Sequence, residues 1–411
     1  METINVYAIV TPAVLVLILV EFIYCLVKKN GYYTFQDSLI GVGTSIVTQC
    51  VNVAVTVAVL IVYGWIYKNY AIFHIEFTPV NLILCYVIGD FLFYWFHRAG
   101  HRVNFLWAAH VPHHSAEELN YAVALRASFT QRAASFLFYW PLAILGVSPD
   151  LILILVAINL VYQLIPHTRV IGKLPAWISS WLNTPYHHQV HHAANRIYWD
   201  KNYGGTLIIW DRLFGTYQDQ TEPVYYGVAI HPKSWDSVYL NFHWFFILWN
   251  DMLAADHWVD KIKIWFMPPG WRPRNLPPYP KDPPHTAATQ VKYQTPALKN
   301  SSGYLVVQLL IALATMLLVI RPDSFLSIIE KVILSFLLLW TVTSWGQMLE
   351  SKSFAKNQEL IRIIVQGIFL DVVFRLHHHQ DEFLAINAII TLTSFFWMTY
   401  FVKDNSFTKS A

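Results

Sequence analysis

The sequence predicts an all-α fold, a polytopic bundle of membrane helices, on three observations. Of its 411 residues 55% are hydrophobic and 13% charged, with a mean hydropathy of +0.40, which is too apolar and too weakly charged for a soluble globular chain of this size. Several apolar runs approach the ~20 residues that a helix needs to cross a bilayer. Nine histidines stand at helical spacings where such runs end, so their polar rings are expected at the membrane boundary.

The first run, 7–27, has no basic leader and no A-x-A cleavage pattern, and is expected to remain as an anchor. Lys28 and Lys29 follow it directly and mark a cytoplasmic end by the positive-inside rule. Further spans are expected at 39–63, 80–96, 304–320, 325–345, 360–376 and 384–402. The run 131–165 reads as a hairpin turning at 145–150, with arms short for full spans, so that it crosses only in part. Counting crossings from Lys28 brings all nine histidines to the cytoplasmic face, together with the many lysines and arginines of 231–300. The Pro-rich stretch 268–284 cannot continue a helix and reads as an extended connector. Four regions result: anchor helices over 1–79, a histidine-bearing catalytic unit over 80–245, a cytosolic Pro-rich connector over 246–300 and a C-terminal transmembrane bundle over 301–411.

Several function classes drop out. A formal net charge of +3 spread over many loops gives nucleic acid no basic face to bind. Cys25, Cys50 and Cys85 all lie in apolar segments and form neither a disulfide framework nor a zinc signature. Gly204-Gly205 alone is no phosphate loop, and there is no internal repeat.

The histidines group as HRAGH (His97, His101), HVPHH (His110, His113, His114), a lone His167 and HQVHH (His188, His191, His192). Spacings of i, i+3 and i+4 put the rings of each cluster on one helical face, so a single helix can offer several ligands to one point. Pro112 denies a helix interior its donor, so the second helix is expected to begin near it, with His110 at the cap. Imidazole suits zinc, copper, iron and nickel, and nine rings exceed one tetrahedral site, which implies two metals. Zinc hydrolysis fits poorly because neither HRAGH nor HQVHH carries the glutamate base of HExxH. Two redox-active irons would instead activate O2 against a C–H bond, chemistry beyond any side chain alone.

Over roughly residues 80–220 these clusters, with the flanking text YWFHRAGHRVNFLWAAHVPHHSAEELNYAVALRAS and NTPYHHQVHHAANRIYWDKNYGGTLIIWDRLFGTY, resemble the fatty acid hydroxylase/sterol desaturase superfamily of membrane di-iron enzymes, and within it the alkylglycerol monooxygenase branch. The resemblance implies a cytosol-facing site of two iron ions held by the nine histidines, O2 as oxidant, and a lipid chain entering from the membrane. It implies hydroxylation of an ether-linked alkyl carbon, with tetrahydrobiopterin or a cytochrome b5-type protein as electron donor. Hydroxylation or desaturation of a sterol or fatty acid is the alternative reaction. A metal-binding transporter or scaffold is the alternative class, which the absence of repeated halves disfavours. The branch carries glutamates where this chain has Arg102 and Arg169. We expect these arginines to point away from the metals and either bind an anionic headgroup or anchor the membrane face.

Asp90 lies two turns before His97 on the same face, and an acid within a span is a functional candidate; it is expected to fix the tautomer of a ligand imidazole or to make a polar contact with another helix. Glu117, Glu118, Asn120, Arg126, Asn195, Asp200 and Asp211 are weaker supporting candidates, and His187 is expected either beside the ligand set or in solvent, not as a ligand. The run His377, His378, His379 falls on the opposite side of the membrane by the crossing count and is expected in a solvated loop.

Overall fold

The computed structural model describes residues 6–279, 285–378 and 381–403, and among them there is no strand. Lys281 and His379 lie outside the described residues, as does part of the Pro-rich stretch. Three long helices open the chain: α1 (Val6–Lys28), α2 (Phe35–Tyr70) and α3 (Pro79–Arg102). Thr34 and Thr78 start the second and third by accepting the backbone N–H of Asp37 and Asn81. Five short helices follow: α4 (Asn104–Ala108), α5 (Val111–His114), α6 (Tyr121–Ala124), α7 (Gln131–Phe136) and α8 (Trp140–Leu145). Then come α9 (Pro149–Leu164), α10 (Ala176–Ser179), α11 (Pro185–His191) and α12 (Ile209–Leu213), and next α13 (Ser237–Ala254) and α14 (Trp258–Phe266). Four long helices close the chain: α15 (Ser301–Ile320), α16 (Ile328–Leu349), α17 (Ala355–Leu376) and α18 (Asp381–Tyr400).

Among the described residues six helices are long and apolar enough to cross a membrane: α1, α2, α3, α15, α16 and α18. The span expected at 360–376 is helical within α17, but that helix carries Glu359, Arg362, Asp371 and Arg375 and falls short in apolar character. The first two form an ion pair in the interior. Arg362 donates all five N–H groups: from Nε and Nη2 to Glu359 at 2.8 and 2.6 Å, from Nη2 to Gln308 at 2.8 Å, and from Nη1 to Gln366 and Thr341 at 2.5 and 3.3 Å. Tyr304 and Ser344 donate to the same carboxylate at 2.5 and 2.7 Å. A buried pair this fully bonded avoids most of the desolvation penalty that a bare one carries.

The spine is α2. Its Leu39, Ile40 and Ile46 pack with Tyr304 and Leu305 of α15 and with Val342 and Trp345 of α16, while Val59 and Tyr63 further along pack with Phe93 and Phe96 of α3 and with Leu151 and Leu155 of α9. α2 thus joins the histidine-bearing half to the C-terminal bundle, and Trp235 and Leu240 of α13 and its lead-in pack on the same bundle core. The regions drawn from sequence are corrected on this point: the boundary at 245/246 falls inside α13, and 246–300 contains α14, whose Trp258, Ile262 and Phe266 are exposed along one face. The 131–165 hairpin also reaches further than its arms suggested. Its turn bonds the loop between α2 and α3, with Ile72 N donating to Ile144 O at 2.8 Å and Ile75 N to Gly146 O at 3.2 Å. Gly146 makes that approach possible, because it sits at φ +99° and a Cβ there would lie 1.8 Å from the Phe73 carbonyl oxygen.

Candidate metal centre

Each cluster is delivered to the end of the bundle where α3 finishes. His97 and His101 occupy the last turns of α3. His110 is the N-cap of α5, with Pro112 in its first turn and His113 and His114 in its last. His167 follows α9, which Ser148 and Pro149 start. In α11 Pro185 opens the helix, Thr184 and His187 form a reciprocal cap, and His188, His191 and the C-cap His192 follow.

The nine rings sort into two sets. His97, His101, His110, His114 and His191 form one, and His113, His167, His188 and His192 the other, with the ligand atoms in each set all within 4.8 Å of one another. Three backbone carbonyls fix the tautomers: Nδ1 of His97 donates to Tyr203 O at 2.8 Å, Nδ1 of His167 to Gln163 O at 2.6 Å and Nδ1 of His191 to Lys201 O at 2.9 Å. A carbonyl can only accept, so the proton sits on Nδ1 and a lone pair on Nε2. Burial pushes His110, His113, His114, His188, His191 and His192 well below the ordinary histidine range and His167 to about 4. The rings are therefore neutral, the form that ligates metal.

The lone pairs of His97 and His167 face further rings whose tautomers no carbonyl fixes. Nε2 of His97 lies 3.1 Å from Nε2 of His110, which lies 3.1 Å from that of His114. Nε2 of His167 is 3.0 Å from the Nε2 atoms of both His113 and His188. One shared proton can bridge only one such contact. The buried Nε2 atoms of His101, His191 and His192 have no hydrogen-bond partner among the described residues. A cation at the centre of each set satisfies all of these nitrogens at once. Imidazole sets suit iron, and a five-nitrogen set exceeds the four ligands of a structural zinc site.

The loop 203–211 supplies one of the fixing carbonyls, and two carboxylates hold it. Asp211 accepts from Tyr203 N at 2.8 Å, Gly204 N at 2.7 Å and Thr216 Oγ1 at 2.7 Å. Asp90 accepts from Thr206 N, Asn159 Nδ2, Trp210 Nε1 and Leu207 N at 2.7 to 3.1 Å. No imidazole is among these donors, so the tautomer-fixing alternative for Asp90 gives way to clamping this loop against α3. The tautomers are fixed by main-chain oxygens, which carry no residue-type signal in a sequence. Glu21, not singled out from sequence, accepts from Tyr33 OH at 2.5 Å and Tyr121 N at 2.8 Å, and takes the hydroxyl of Thr168 beside His167. An acid inside the first apolar run was its available signal.

Arg102 and Arg169 both point away from the rings. Arg102 is half-exposed and pairs with Asp200 at 2.5 Å. Arg169 lies over Tyr32, 4.0 Å from the ring centroid, and pairs with the buried Glu118 at 3.4 Å. Lys292 pairs with Glu118 as well, Glu117 accepts from Tyr293 N, Asn120 caps α6, Arg126 pairs with Asp37 at 3.3 Å and Asn195 bonds Tyr225 and Pro223. His187 belongs to neither metal set. His377 lies 3.0 Å from Glu330 at the start of α16, the opposite end of that helix from Met348, whose carbonyl accepts from Leu298 N.

A cavity of about 240 Å³ opens beside the second set. His113 and His167 line it, together with residues of α1, α2, α3, α9 and α15, and most of its surface is apolar.

Comparison with known proteins agrees with this geometry. Residues 82–216 match the fatty acid hydroxylase family model. The chain is 31% identical over 358 residues to alkylglycerol monooxygenase of Homo sapiens, covering 86% of this chain and 80% of that one. It is 28% identical over 408 residues to alkylglycerol monooxygenase of Danio rerio, covering 96% and 89%. An ornithine lipid hydroxylase of Rhizobium tropici is 30% identical over 171 residues, 39% of this chain and 50% of that one. No solved structure gives a significant match.

Proposed function

The chain belongs to the fatty acid hydroxylase family and is a membrane monooxygenase, and from that premise we propose that it hydroxylates an alkyl chain of an ether lipid at a centre of two irons. The observation that carries this reading is the meeting of the histidine sets with an apolar cavity that opens on His113 and His167. Five histidines would hold one iron and four the other; when bound, the pair supplies the oxidation of a C–H bond by O2. One oxygen atom enters the product and the other leaves as water, with two electrons from an external reductant such as a tetrahydropterin or a cytochrome b5-type protein. A hydroxyl placed on an ether-linked carbon makes a hemiacetal, which breaks to an aldehyde and an alcohol.

The chain's own residues do the positioning. Backbone carbonyls of Tyr203, Gln163 and Lys201 hold the rings, and the cavity walls exclude water from the alkyl chain. By the charge of Lys28 and Lys29 the centre faces the cytoplasm. Arg102, exposed at the same end with its partner Asp200 also partly exposed, is the better placed of the two arginines to meet a lipid headgroup, because Arg169 is turned toward the buried Glu118 and Tyr32. Metal analysis of purified protein, followed by O2-dependent turnover of an alkylglycerol and a fatty acid, tests the reading. We expect two irons per chain and aldehyde from the alkylglycerol; a single zinc without iron would overturn it.

A further inference from the structure

The cavity has two unlike sides. From α9 come Val156, Leu160, Val161 and Leu164, which suit a hydrocarbon chain, with one polar residue, Gln163, among them. Facing it, α2 contributes Ser45, Thr48, Gln49 and Asn52, at i, i+3, i+4 and i+7 and hence on one helical face. Ser128, Gln131 and Ser135 continue this polar wall from the segment around α7. A cavity shaped only for an alkyl chain has no use for such a stripe, since polar groups facing hydrocarbon are costly unless bonded.

Most of the wall is internally satisfied. Thr48 Oγ1 donates to Thr44 O at 2.9 Å and Ala127 O at 3.0 Å, Ser45 donates to Val42 O at 2.7 Å and Ser135 to Arg132 O at 2.8 Å. Asn52 and Gln131 differ. Asn52 is 7% exposed, and its Nδ2 donates to Gln49 Oε1 at 3.4 Å. Its Oδ1 is buried with no hydrogen-bond partner among the described residues, as is Oε1 of Gln131 across the same wall. A carbonyl oxygen in that position calls for a donor, and the occupant of the cavity is the molecule able to bring one.

We propose that Asn52 is a specificity-determining residue that accepts a hydrogen bond from an O–H or N–H of the lipid, carried next to the alkyl chain that enters the cavity. The proposal rests on the reading of the cavity as the lipid site. It selects lipids with a free hydroxyl or amide hydrogen against those whose oxygens are all ethers or esters, because these only accept. It also sets the substrate's orientation: the donor group lies on α2 while the chain lies along α9, with His113 and His167 lining the same space.

The test measures binding, so it stands apart from turnover. Purified full-length protein is loaded with a fluorescent fatty lipid, which is displaced by 1-O-hexadecylglycerol, by its 2,3-di-O-methyl ether and by N-hexadecylacetamide. Wild type is expected to bind the free-hydroxyl lipid about tenfold more tightly than the capped one, the value of one neutral hydrogen bond. Asn52→Leu is expected to remove that preference and leave the capped lipid unchanged. A preference is a ratio on one preparation, so it does not depend on how much of the variant is folded. The amide arm tells the two sources apart: an Asn52-dependent gain for N-hexadecylacetamide assigns the subsite to N–H as well as O–H donors. No preference in wild type, or a preference that survives Asn52→Leu, overturns the proposal. Leu160→Trp, which fills the apolar side, is expected to weaken all three lipids. Unchanged binding in that variant would instead remove the cavity as the lipid site, and with it the functional reading.

Discussion

At the scale of single residues the chemistry turns on which nitrogen of each imidazole carries the proton. Where Nδ1 donates to a carbonyl, Nε2 is left as a lone pair facing its neighbours, the form in which an imidazole ligates a cation. His114 belongs to the five-membered set and stacks on His192 of the other, ring centroids 4.3 Å apart, so its loss should disturb both. His378 is exposed beyond the His377–Glu330 contact at the opposite end of the bundle. We expect His114→Ala to abolish lipid turnover and lower bound metal, and His378→Ala to keep both near wild type. A His378→Ala protein as inactive as His114→Ala would contradict the assignment. The histidines were legible in the sequence because residue type and spacing alone bring each cluster to one face. The carbonyls of Tyr203, Gln163 and Lys201 were not, since every residue has one and only the fold decides which meets a ring.

At the scale of elements, apolar runs marked the long helices but understated their ends. Hydropathy gave 39–63 for a helix that runs from Phe35 to Tyr70, because its first turns are polar and its last turn contains Lys68, yet backbone bonding continues through both. The end of α13 and all of α14 lay in what read as a connector, since the prolines that break helices begin only after Phe266. The 145–150 turn was legible from Gly146 and Pro149, whereas its contact with the 72–75 loop was not, because nothing local encodes it. That contact gives a sharp prediction for Gly146→Ala. A left-handed φ costs an L-residue about 1–2 kcal/mol, and the new Cβ would overlap the Phe73 carbonyl besides. Thermal unfolding should shift down by about 1–3 °C from that backbone cost in a chain of this size, and further from the overlap, and an unchanged midpoint would mean that the hairpin turn is not held as described.

At the scale of the whole molecule, α2 carries two cores and joins the histidine-bearing half to the C-terminal bundle. The order of the helices fixes which ends share a side. Leu298 N meets Met348 O, and Lys299 pairs with Lys403, so the start of α15 and the ends of α16 and α18 lie together. Ser237, at the head of α13, lies 3.2 Å from Thr44 near the start of α2, which brings the start of α2 to the same side. The other ends carry Asp323, between α15 and α16, and the Glu330–His377 contact. Lys28, Lys29, Lys352 and Lys356 all fall on the histidine side, which is the basis for the cytoplasmic facing proposed above. Cysteine substitution can read this directly, since the native Cys25, Cys50 and Cys85 are buried. Lys352 and Asp323 have side chains 50% and 67% exposed, on opposite sides of the bundle. In sealed vesicles with the outer face outward, a membrane-impermeant maleimide should label Asp323→Cys at once and Lys352→Cys only after permeabilisation. The reverse pattern would turn the centre to the outer face, and labelling of both from one side would break the crossing order that brings the nine histidines together.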